Sequence, residues 1–298
     1  MSERRSKGFT RWWSYGFSAV AVAMVLGMAL LLVLQSIPVW KHEGFHFITG
    51  LKWYYRQHEF GAAPMIYGTV AVAAMALLMA APIGLCAGIF TAEFLPARFR
   101  LAVKMIIELL AGVPSVIYGL LGVLFLRNWI YDLLQRFDPV NGDTLLTAAV
   151  LLAVMILPTI MTLADDALRG VPSAQRVAGR GLGLNSTEVA LYVSIPQAFP
   201  GLVAAVLLGL GRALGETIAV FLVVGRQDNQ WPENFFSLRP LIESGQTITS
   251  KLGGSETNIA YGEPLHWGAM VGLGLLLLMM VTVVTLVGSK LQLRDHAS

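Results

Sequence analysis

Two opposite charges, Arg212 and Glu216, lie four residues apart in an otherwise apolar stretch. On a helix this spacing places both side chains on one face, where they can meet. A charge in mid-membrane costs about 2.5–3.5 kcal/mol, so it is normally paired or faces a cavity. A guanidinium group fits the oxygens of phosphate and does not lose its proton. The two residues are therefore either an anion site, with Glu216 holding Arg212, or a static ion pair that fixes helix packing.

Glycines occur at the same four-residue spacing in this stretch, at Gly211 and Gly215. Small residues at this interval let a neighbouring helix approach closely. A helix face that combines glycines with a charge pair is therefore predicted to look into the protein.

A second pattern is typical of zinc proteases: His42, Glu43 and His46 match H-E-x-x-H. On a helix, the two imidazoles of this pattern bind zinc and the glutamate acts as the base. Gly44 disfavours a helix here, and nothing in the sequence fixes a third ligand, although His58 is available. We predict no metal site, and a membrane zinc protease stands as an alternative function.

The composition indicates that these side chains belong to a membrane protein. Of the 298 residues, 56% are hydrophobic and 13% are charged, and the mean hydropathy is +0.66. A soluble protein carries about 25% charged residues because its surface faces water, so much of this surface must face lipid. The net charge of +3 comes from basic residues scattered between apolar runs, which argues against nucleic-acid binding. A single cysteine, Cys86, excludes an intrachain disulfide.

Six apolar runs are long enough to cross a bilayer, whose core requires about 20 residues of helix. Isolated spans that face lipid must be helical, because only a helix satisfies its own backbone there. The sequence therefore predicts an all-α integral membrane protein with six transmembrane helices. The predicted spans are Phe17–Ile37, Met65–Ala92, Leu109–Leu126, Thr144–Ala164, Pro200–Val224 and Trp267–Ser289.

The distribution of basic residues predicts the orientation. Twelve Lys and Arg residues fall on the side of the two termini and eight on the other side, so both termini are predicted to be cytoplasmic. The predicted organisation is a cytoplasmic tail at 1–16, a first transmembrane helix at 17–37, a periplasmic loop at 38–64, a core at 65–289 and a second cytoplasmic tail at 290–298.

The predicted cytoplasmic segment 165–198 contains residues typical of helix starts and helix ends. The polar run Asn185–Glu188 predicts a helix start, because such side chains accept hydrogen bonds from the first backbone N–H groups. Gly181 and Gly183 predict a tight turn that ends a preceding helix. We therefore predict two short helices joined by a turn at the membrane face, a shape that a partner protein can grip.

This segment resembles the EAA loop of ABC importer permeases. The family pattern is Glu-Ala-Ala, three residues, Gly, nine residues and Ile-x-Leu-Pro, and Val177, Ala178, Gly179, Gly183 and Pro196 fall at its spacing. Val177 replaces the family's glutamate and Gly179 its second alanine, which leaves open any polar contact from position 177. The resemblance implies a type I ABC importer permease whose coupling loop docks into a cytoplasmic ATPase.

Three further stretches resemble phosphate permeases of the PstC type. They are Ile66–Thr69, Glu108–Gly119, which contains Pro114, Ser115 and Tyr118, and Gly209–Val220, which contains Arg212 and Glu216. The resemblance covers roughly residues 60–290 and implies that phosphate translocation depends on the charged pair. Pro114 is predicted to kink or break the third span. Ser115 and Tyr118 then either offer donors to a passing anion or belong to a packing kink.

The function implied by this resemblance is that of a non-enzymatic permease subunit of an ATP-driven phosphate importer in the bacterial inner membrane. The implied partners are a second permease subunit, a cytoplasmic ATPase dimer, a periplasmic phosphate-binding protein and the lipid bilayer. The chain has no G-x-x-x-x-G-K-[ST] sequence, so ATP and magnesium are expected on the ATPase and no cofactor on this chain. A permease for another oxyanion, such as molybdate or sulfate, is an alternative, as is a stand-alone channel or secondary carrier.

Overall fold

The computed structural model describes residues 2–137, 139–232, 234 and 239–294, so Met1 and residues 295–298 of the two predicted tails lie outside the described residues. The α-helices are Ser2–Glu43, His46–Thr49, Ala63–Ile89, Ala97–Ala111, Ser115–Leu121, Arg127–Leu134, Leu145–Arg169, Ser173–Gly181, Ser186–Val189, Ile195–Gly215, Ile218–Val223, Arg239–Ile242, Ile248–Leu252, Glu256–Ala260 and Pro264–Arg294. Single π-helical turns lie at Phe90–Phe94, Gly122–Leu126 and Ala190–Ser194, and 3₁₀ turns at Tyr55–Gln57 and Gln135–Phe137. Strands Trp53–Tyr54 and Glu59–Phe60 pair as an antiparallel hairpin.

Six helices are long and apolar enough to cross a membrane, which confirms the predicted fold class. They are span 1 (Trp12–Glu43), span 2 (Ala63–Phe94), span 3 (Ser115–Phe137), span 4 (Leu145–Arg169), span 5 (Ser186–Gly215) and span 6 (Pro264–Gly288). Because each span crosses once and their number is even, the start of span 1 and the end of span 6 lie on one side of the bundle, together with the connection 170–185. We call that side the knob end and the opposite side the loop end.

Span 3 differs from the predicted Leu109–Leu126. A separate helix, Ala97–Ala111, ends before Pro114, and the span itself begins at Ser115. Proline has no N–H to donate and disfavours a helical residue before it, so one continuous helix cannot form here. The predicted break at Pro114 is therefore confirmed, while counting apolar residues placed the span too early along the chain.

Spans 2 and 4 pack closely because two glycines of span 2 bring the helix backbones together. A Cβ on Gly84 would lie 3.0 Å from Cγ2 of Ile160, and one on Gly88 would lie 2.7 Å from Cβ of Ala164. Ile160 and Ala164 are fully buried in span 4. This contact forms the centre of the core, to which span 5 and the helix Ile218–Val223 add further buried side chains.

Replacing Gly88 with valine is expected to destabilise the protein by about 1–3 kcal/mol, because the branched side chain would press on Ala164 and on the Met161 carbonyl oxygen. Thermal unfolding of the purified protein in detergent measures the effect. Gly27→Val is the matched control, since no atom lies within 4 Å of a Cβ at that position of span 1. Equal melting temperatures for the two variants would contradict the close approach of spans 2 and 4.

Span 1 stands apart from this core. It packs mainly along span 6, where Gly268 lies beside Pro38 and the Gln35 carbonyl oxygen. In its most apolar 18-residue window none of the residues is buried. The predicted N-terminal tail is helical and continuous with this span, since the helix begins at Ser2.

The loop end is closed by a polar segment that inserts between the spans. Residues 246–251 are buried there, and the Ile248 N–H donates to Oγ1 of Thr69 in span 2 at 2.9 Å. Thr247 and Ser250 form a reciprocal cap that begins the helix Ile248–Leu252. Hydroxyl groups therefore satisfy the backbone of this segment, in which an unpaired polar group would be costly.

Candidate functional site

The connection between spans 4 and 5 has the predicted form of two short helices separated by a turn. The first is Ser173–Gly181, the second begins at Ser186, and we call residues 173–189 the knob. Gly183 lies in the turn with φ of 91°, a conformation that favours glycine. Asn185 Oδ1 accepts from the Glu188 N–H at 2.9 Å, while Glu188 Oε2 accepts from the Asn185 N–H at 2.8 Å. This reciprocal cap confirms the predicted helix start.

The knob presents apolar side chains to its surroundings. Val177 is 64% exposed and Leu182, in the turn, is 85% exposed. Ala178 is also exposed, whereas Gly179 is buried against Val189 and Val193. Pro196, just beyond the knob, is exposed at the start of the helix Ile195–Gly215. Of the five residues with a predicted coupling role, Gly179 is thus the one that lies in the interior.

One guanidinium group in the knob was missed by sequence reasoning. Arg176 is largely buried and pairs with Glu93 of span 2, with 2.9 Å between Nη2 and Oε1. The Glu93 side chain is only 8% exposed. Arg176 and Glu93 stand 83 residues apart, so no local pattern could have indicated the pair.

Arg212 lies in the last turn of the helix Ile195–Gly215 and faces span 4. Its Nη1 donates to Oγ1 of Thr159 in span 4 at 2.6 Å. The side chain is partly exposed, and among the described residues no acceptor contacts its remaining donor atoms, Nε and Nη2. A guanidinium group carries five N–H donors, so most of this group is free to bind another acceptor.

The predicted pairing of Arg212 with Glu216 is wrong in this structure, because the helix ends between them. Helix Ile195–Gly215 stops at Gly215, and Glu216 is extended with φ of −72° and ψ of 123°. Glu216 Oε1 instead accepts from the N–H of Ala219 at 3.3 Å, near the start of the helix Ile218–Val223. An unpaired N–H at a helix start attracts a carboxylate, which explains why Glu216 turns away from Arg212.

The two predicted donors of span 3 have separate positions. Ser115 begins the span directly after Pro114, and the Tyr118 hydroxyl donates to the Leu110 carbonyl oxygen at 2.9 Å. Tyr118 thereby satisfies a carbonyl next to the break in the helix. Among the described residues no hydrogen bond joins Ser115 or Tyr118 to Arg212.

A second charged cluster lies at the loop end, and sequence reasoning missed it. Lys251, with 3% of its side chain exposed, donates at 2.6 Å to both Asp228 Oδ2 and Glu256 Oε2. Glu256 Oε1 also accepts from Trp53 Nε1 at 2.6 Å and lies 3.0 Å from His266 Nε2. Burial raises the pKa of Asp228 despite the positive charge of Lys251. The cluster joins four segments that are distant in sequence.

Replacing Glu256 with glutamine is expected to lower the free energy of unfolding by about 1.5–3 kcal/mol at neutral pH. Burial tends to raise the pKa of Glu256, but the hydrogen bond and charge of Lys251, with the hydrogen bonds of Trp53 and His266, outweigh it and hold the pKa below that of an ordinary glutamate. A carboxylate with a depressed pKa stabilises the fold above its unfolded pKa, and the contribution is lost as pH falls through the folded value.

The difference between the two proteins should therefore be largest at pH 7 and shrink below about pH 4.5. Thermal unfolding in detergent at pH 7 and at several pH values below about 4.5 measures it. Glu59→Gln serves as control, because Glu59 is exposed on the hairpin. A Glu256→Gln effect that does not change with pH would contradict the ionised state of this carboxylate.

The zinc-protease alternative loses its geometric basis. The helix of span 1 ends at Glu43 and Gly44 has φ of 56°, so His42 and His46 do not share one helix face. Glu43 Oε1 accepts from the N–H of Phe60 at 3.1 Å, which ties span 1 to the hairpin. Among the described residues no group of three His, Cys, Asp or Glu side chains is arranged to hold a metal ion.

Comparison with known proteins identifies the family. The sequence model of the family described as "Binding-protein-dependent transport system inner membrane component" matches residues 84–294. The chain is 33% identical over 297 residues to the phosphate transport system permease protein PstC of Mesorhizobium japonicum, covering 94% of this chain and 88% of that protein. It is also 33% identical over 316 residues to PstC 1 of Mycobacterium tuberculosis, covering 93% and 90%.

Solved structures support the same fold. A bacterial ABC transporter involved in the import of alginate aligns over 98% of this chain and 99% of its own, with a TM-score of 0.61 and 15% identity. The MetNI methionine ABC transporter aligns over 78% and 94%, with a TM-score of 0.56 and 19% identity. The fold is therefore that of a type I ABC importer permease. With these relatives and this architecture, the chain is a non-enzymatic, multi-pass membrane protein that belongs to the binding-protein-dependent transport system inner membrane components and, within them, to the PstC permeases.

Proposed function

We propose that this chain is a transmembrane subunit of an ATP-driven phosphate importer and lines part of the anion pathway. The observation that carries the proposal is the state of Arg212, whose partly exposed guanidinium group has only Nη1 bound, to Thr159. A permanent positive charge with free donors attracts a tetrahedral oxyanion and offers it two parallel hydrogen bonds. The PstC relatives provide the substrate class.

The break in the chain beside Arg212 supports this assignment. Between the helices Ile195–Gly215 and Ile218–Val223, Glu216 and Thr217 leave the helical path. Irregular backbone at membrane depth is tolerated only where protein buries it or where it lines a cavity. A second break at Pro114 lies near this one, because the helix Ile218–Val223 packs on the first helix of span 3. The Ser115 hydroxyl is a further donor for a passing anion. The Tyr118 hydroxyl becomes another donor when its hydrogen bond to the Leu110 carbonyl oxygen breaks.

The proposed orientation places the knob end and both chain ends in the cytoplasm and the loop end in the periplasm of a bacterial inner membrane. The exposed apolar side chains of Val177 and Leu182 then face an ATPase dimer, which binds ATP and magnesium. Ala178 and Pro196 extend this docking surface, while the buried Gly179 and the turn at Gly183 set its shape. A second permease subunit completes the pathway, and a phosphate-binding protein delivers the anion at the loop end.

Reconstitution of the purified complex in proteoliposomes tests the substrate. Uptake of labelled phosphate is expected to require ATP on the side of the membrane where the ATPase is bound. Excess unlabelled phosphate should inhibit it. Sulfate and molybdate should compete at least about tenfold less well, since each mismatch in a hydrogen-bonded site leaves groups unpaired. Preferred uptake of sulfate or molybdate would overturn the phosphate assignment.

A further inference from the structure

The Arg176 guanidinium group makes four hydrogen bonds within the protein. Its Nη2 donates to the Leu168 carbonyl oxygen at 2.7 Å and to Glu93 Oε1 at 2.9 Å. Its Nε donates to Ser194 Oγ at 3.2 Å, and Nη1 donates to the Val171 carbonyl oxygen at 3.3 Å. Four of the five N–H donors of an arginine are thus engaged. Such an arrangement fixes the side chain in one geometry.

Three of the four acceptors of Arg176 belong to three different spans. Glu93 lies in the last turn of span 2, Leu168 in the last turn of span 4 and Ser194 in the part of span 5 nearest the knob end. The carbonyls at a helix end lack partners inside the helix and carry partial negative charge, so a cation from the knob is a favourable cap for span 4. The knob is therefore tied to the bundle by a charged and largely buried contact.

Two of these acceptors lie in irregular turns. Glu93 is in the π-helical turn Phe90–Phe94, and Ser194 is in the π-helical turn Ala190–Ser194. π-helical turns are rare; they occur mostly as single turns inside α-helices and are frequent at functional sites. Arg176 therefore holds spans 2 and 5 at points where their helical geometry departs from the regular path.

Spans 4 and 5 connect this contact to Arg212. Thr159 lies nine residues before Leu168 in span 4, and Arg212 lies eighteen residues after Ser194 in span 5. At 1.5 Å per residue these separations are about 14 Å and about 27 Å along the two helices. A displacement of Arg176 that moves spans 4 and 5 would therefore move both partners of the Arg212–Thr159 contact, because Thr159 lies in span 4 and Arg212 in span 5.

We propose that Arg176 is the positioning residue that transmits movement of the knob to spans 2, 4 and 5, with Glu93 as its charged anchor. The proposal rests on the proposed function as an ATP-driven permease. Apart from the Asn185 cap at the start of span 5, Arg176 is, among the described residues of the knob, the one whose side chain hydrogen-bonds to the spans. Arg180, one turn on, is exposed. The Lys104–Asp166 pair at the same end joins span 4 to the helix Ala97–Ala111 without touching the knob.

The test measures phosphate imported per ATP hydrolysed by the complete complex in proteoliposomes. Arg176→Gln is expected to keep the ATPase bound and hydrolysing ATP, while import per ATP falls by about tenfold or more because the charged contact is lost. Arg176→Lys is expected to be intermediate, since an ammonium group reaches Glu93 but cannot replace the planar set of donors. Lys104→Gln, which also removes a positive charge at the knob end, should import as the wild type does.

A double-mutant cycle separates transmission from simple loss of stability. If Arg176 acts through Glu93, Glu93→Gln lowers import per ATP, and adding Arg176→Gln to it causes little further loss. Wild-type coupling in Arg176→Gln, or strictly additive effects, would overturn the proposal. If Arg176→Gln does not assemble, Arg176→Lys and Glu93→Gln decide the same question. If the wild-type complex carries sulfate or molybdate, only the substrate assignment is refuted. The role of Arg176 can then be tested with the number of those anions imported per ATP hydrolysed.

Discussion

Replacing Arg212 with alanine is expected to reduce phosphate uptake by about a hundredfold, which corresponds to the loss of two charge-assisted hydrogen bonds to the anion. The protein should still fold, because Arg212 contributes one hydrogen bond, to Thr159, and has no ion pair among the described residues. Uptake of labelled phosphate by proteoliposomes that contain the whole complex measures the effect.

Three comparisons make the result specific to the guanidinium group. Arg212→Lys keeps the charge but not the planar donors and should be intermediate. Thr159→Val removes the partner hydroxyl and should reduce uptake less than Arg212→Ala does. Lys41→Ala removes one positive charge at an exposed position and should not affect uptake. Undiminished uptake by Arg212→Ala would show that this residue has only a packing role.

Replacing Leu182 with glutamate is expected to reduce co-purification of the ATPase, and with it uptake, by at least about tenfold. Leu182 is 85% exposed, so the substitution leaves the fold of the chain unchanged. In the proposed complex this side chain is covered by the ATPase, and a carboxylate buried there without a partner is strongly unfavourable. Affinity purification of the complex followed by quantification of its subunits measures the loss.

Val140→Glu is the matched control for this surface, because Val140 is 93% exposed but lies at the loop end. It should leave the ATPase bound. Intact co-purification with Leu182→Glu would place the docking contact elsewhere, and Val177→Glu would then show whether the first knob helix carries it.

The sequence predicts the fold well because membrane spans depend on local composition. Each predicted span overlaps an observed one, and the helix start at Asn185 and the break at Pro114 follow from single side chains. The end of span 3 was misplaced because the span continues beyond the apolar run from which it was predicted. Span 3 extends past charged residues such as Arg127, which pairs with Asp143 at 3.6 Å beyond the apolar run.

The contacts at the candidate sites were harder to predict because they are not local. Arg212 was singled out by its charge, but its partner is Thr159, one of many hydroxyl-bearing residues in apolar runs. Glu216 was expected one helical turn away, and the choice between continuing the helix and capping the next one depends on packing around Ala219. The pair of Arg176 and Glu93 depends on where spans 2 and 4 end in space. The periodicity of the sequence does not predict those positions.

The separate position of span 1 has a consequence for how this chain adapts to its bilayer. This span of 32 residues is about 48 Å long, well beyond a hydrocarbon thickness of about 30 Å. Since its middle is not clamped by neighbouring helices, it can change tilt as the membrane thins or thickens without straining the core. Natural variation in its length and side chains is therefore expected to follow lipid composition, and not the chemistry of the transported ion.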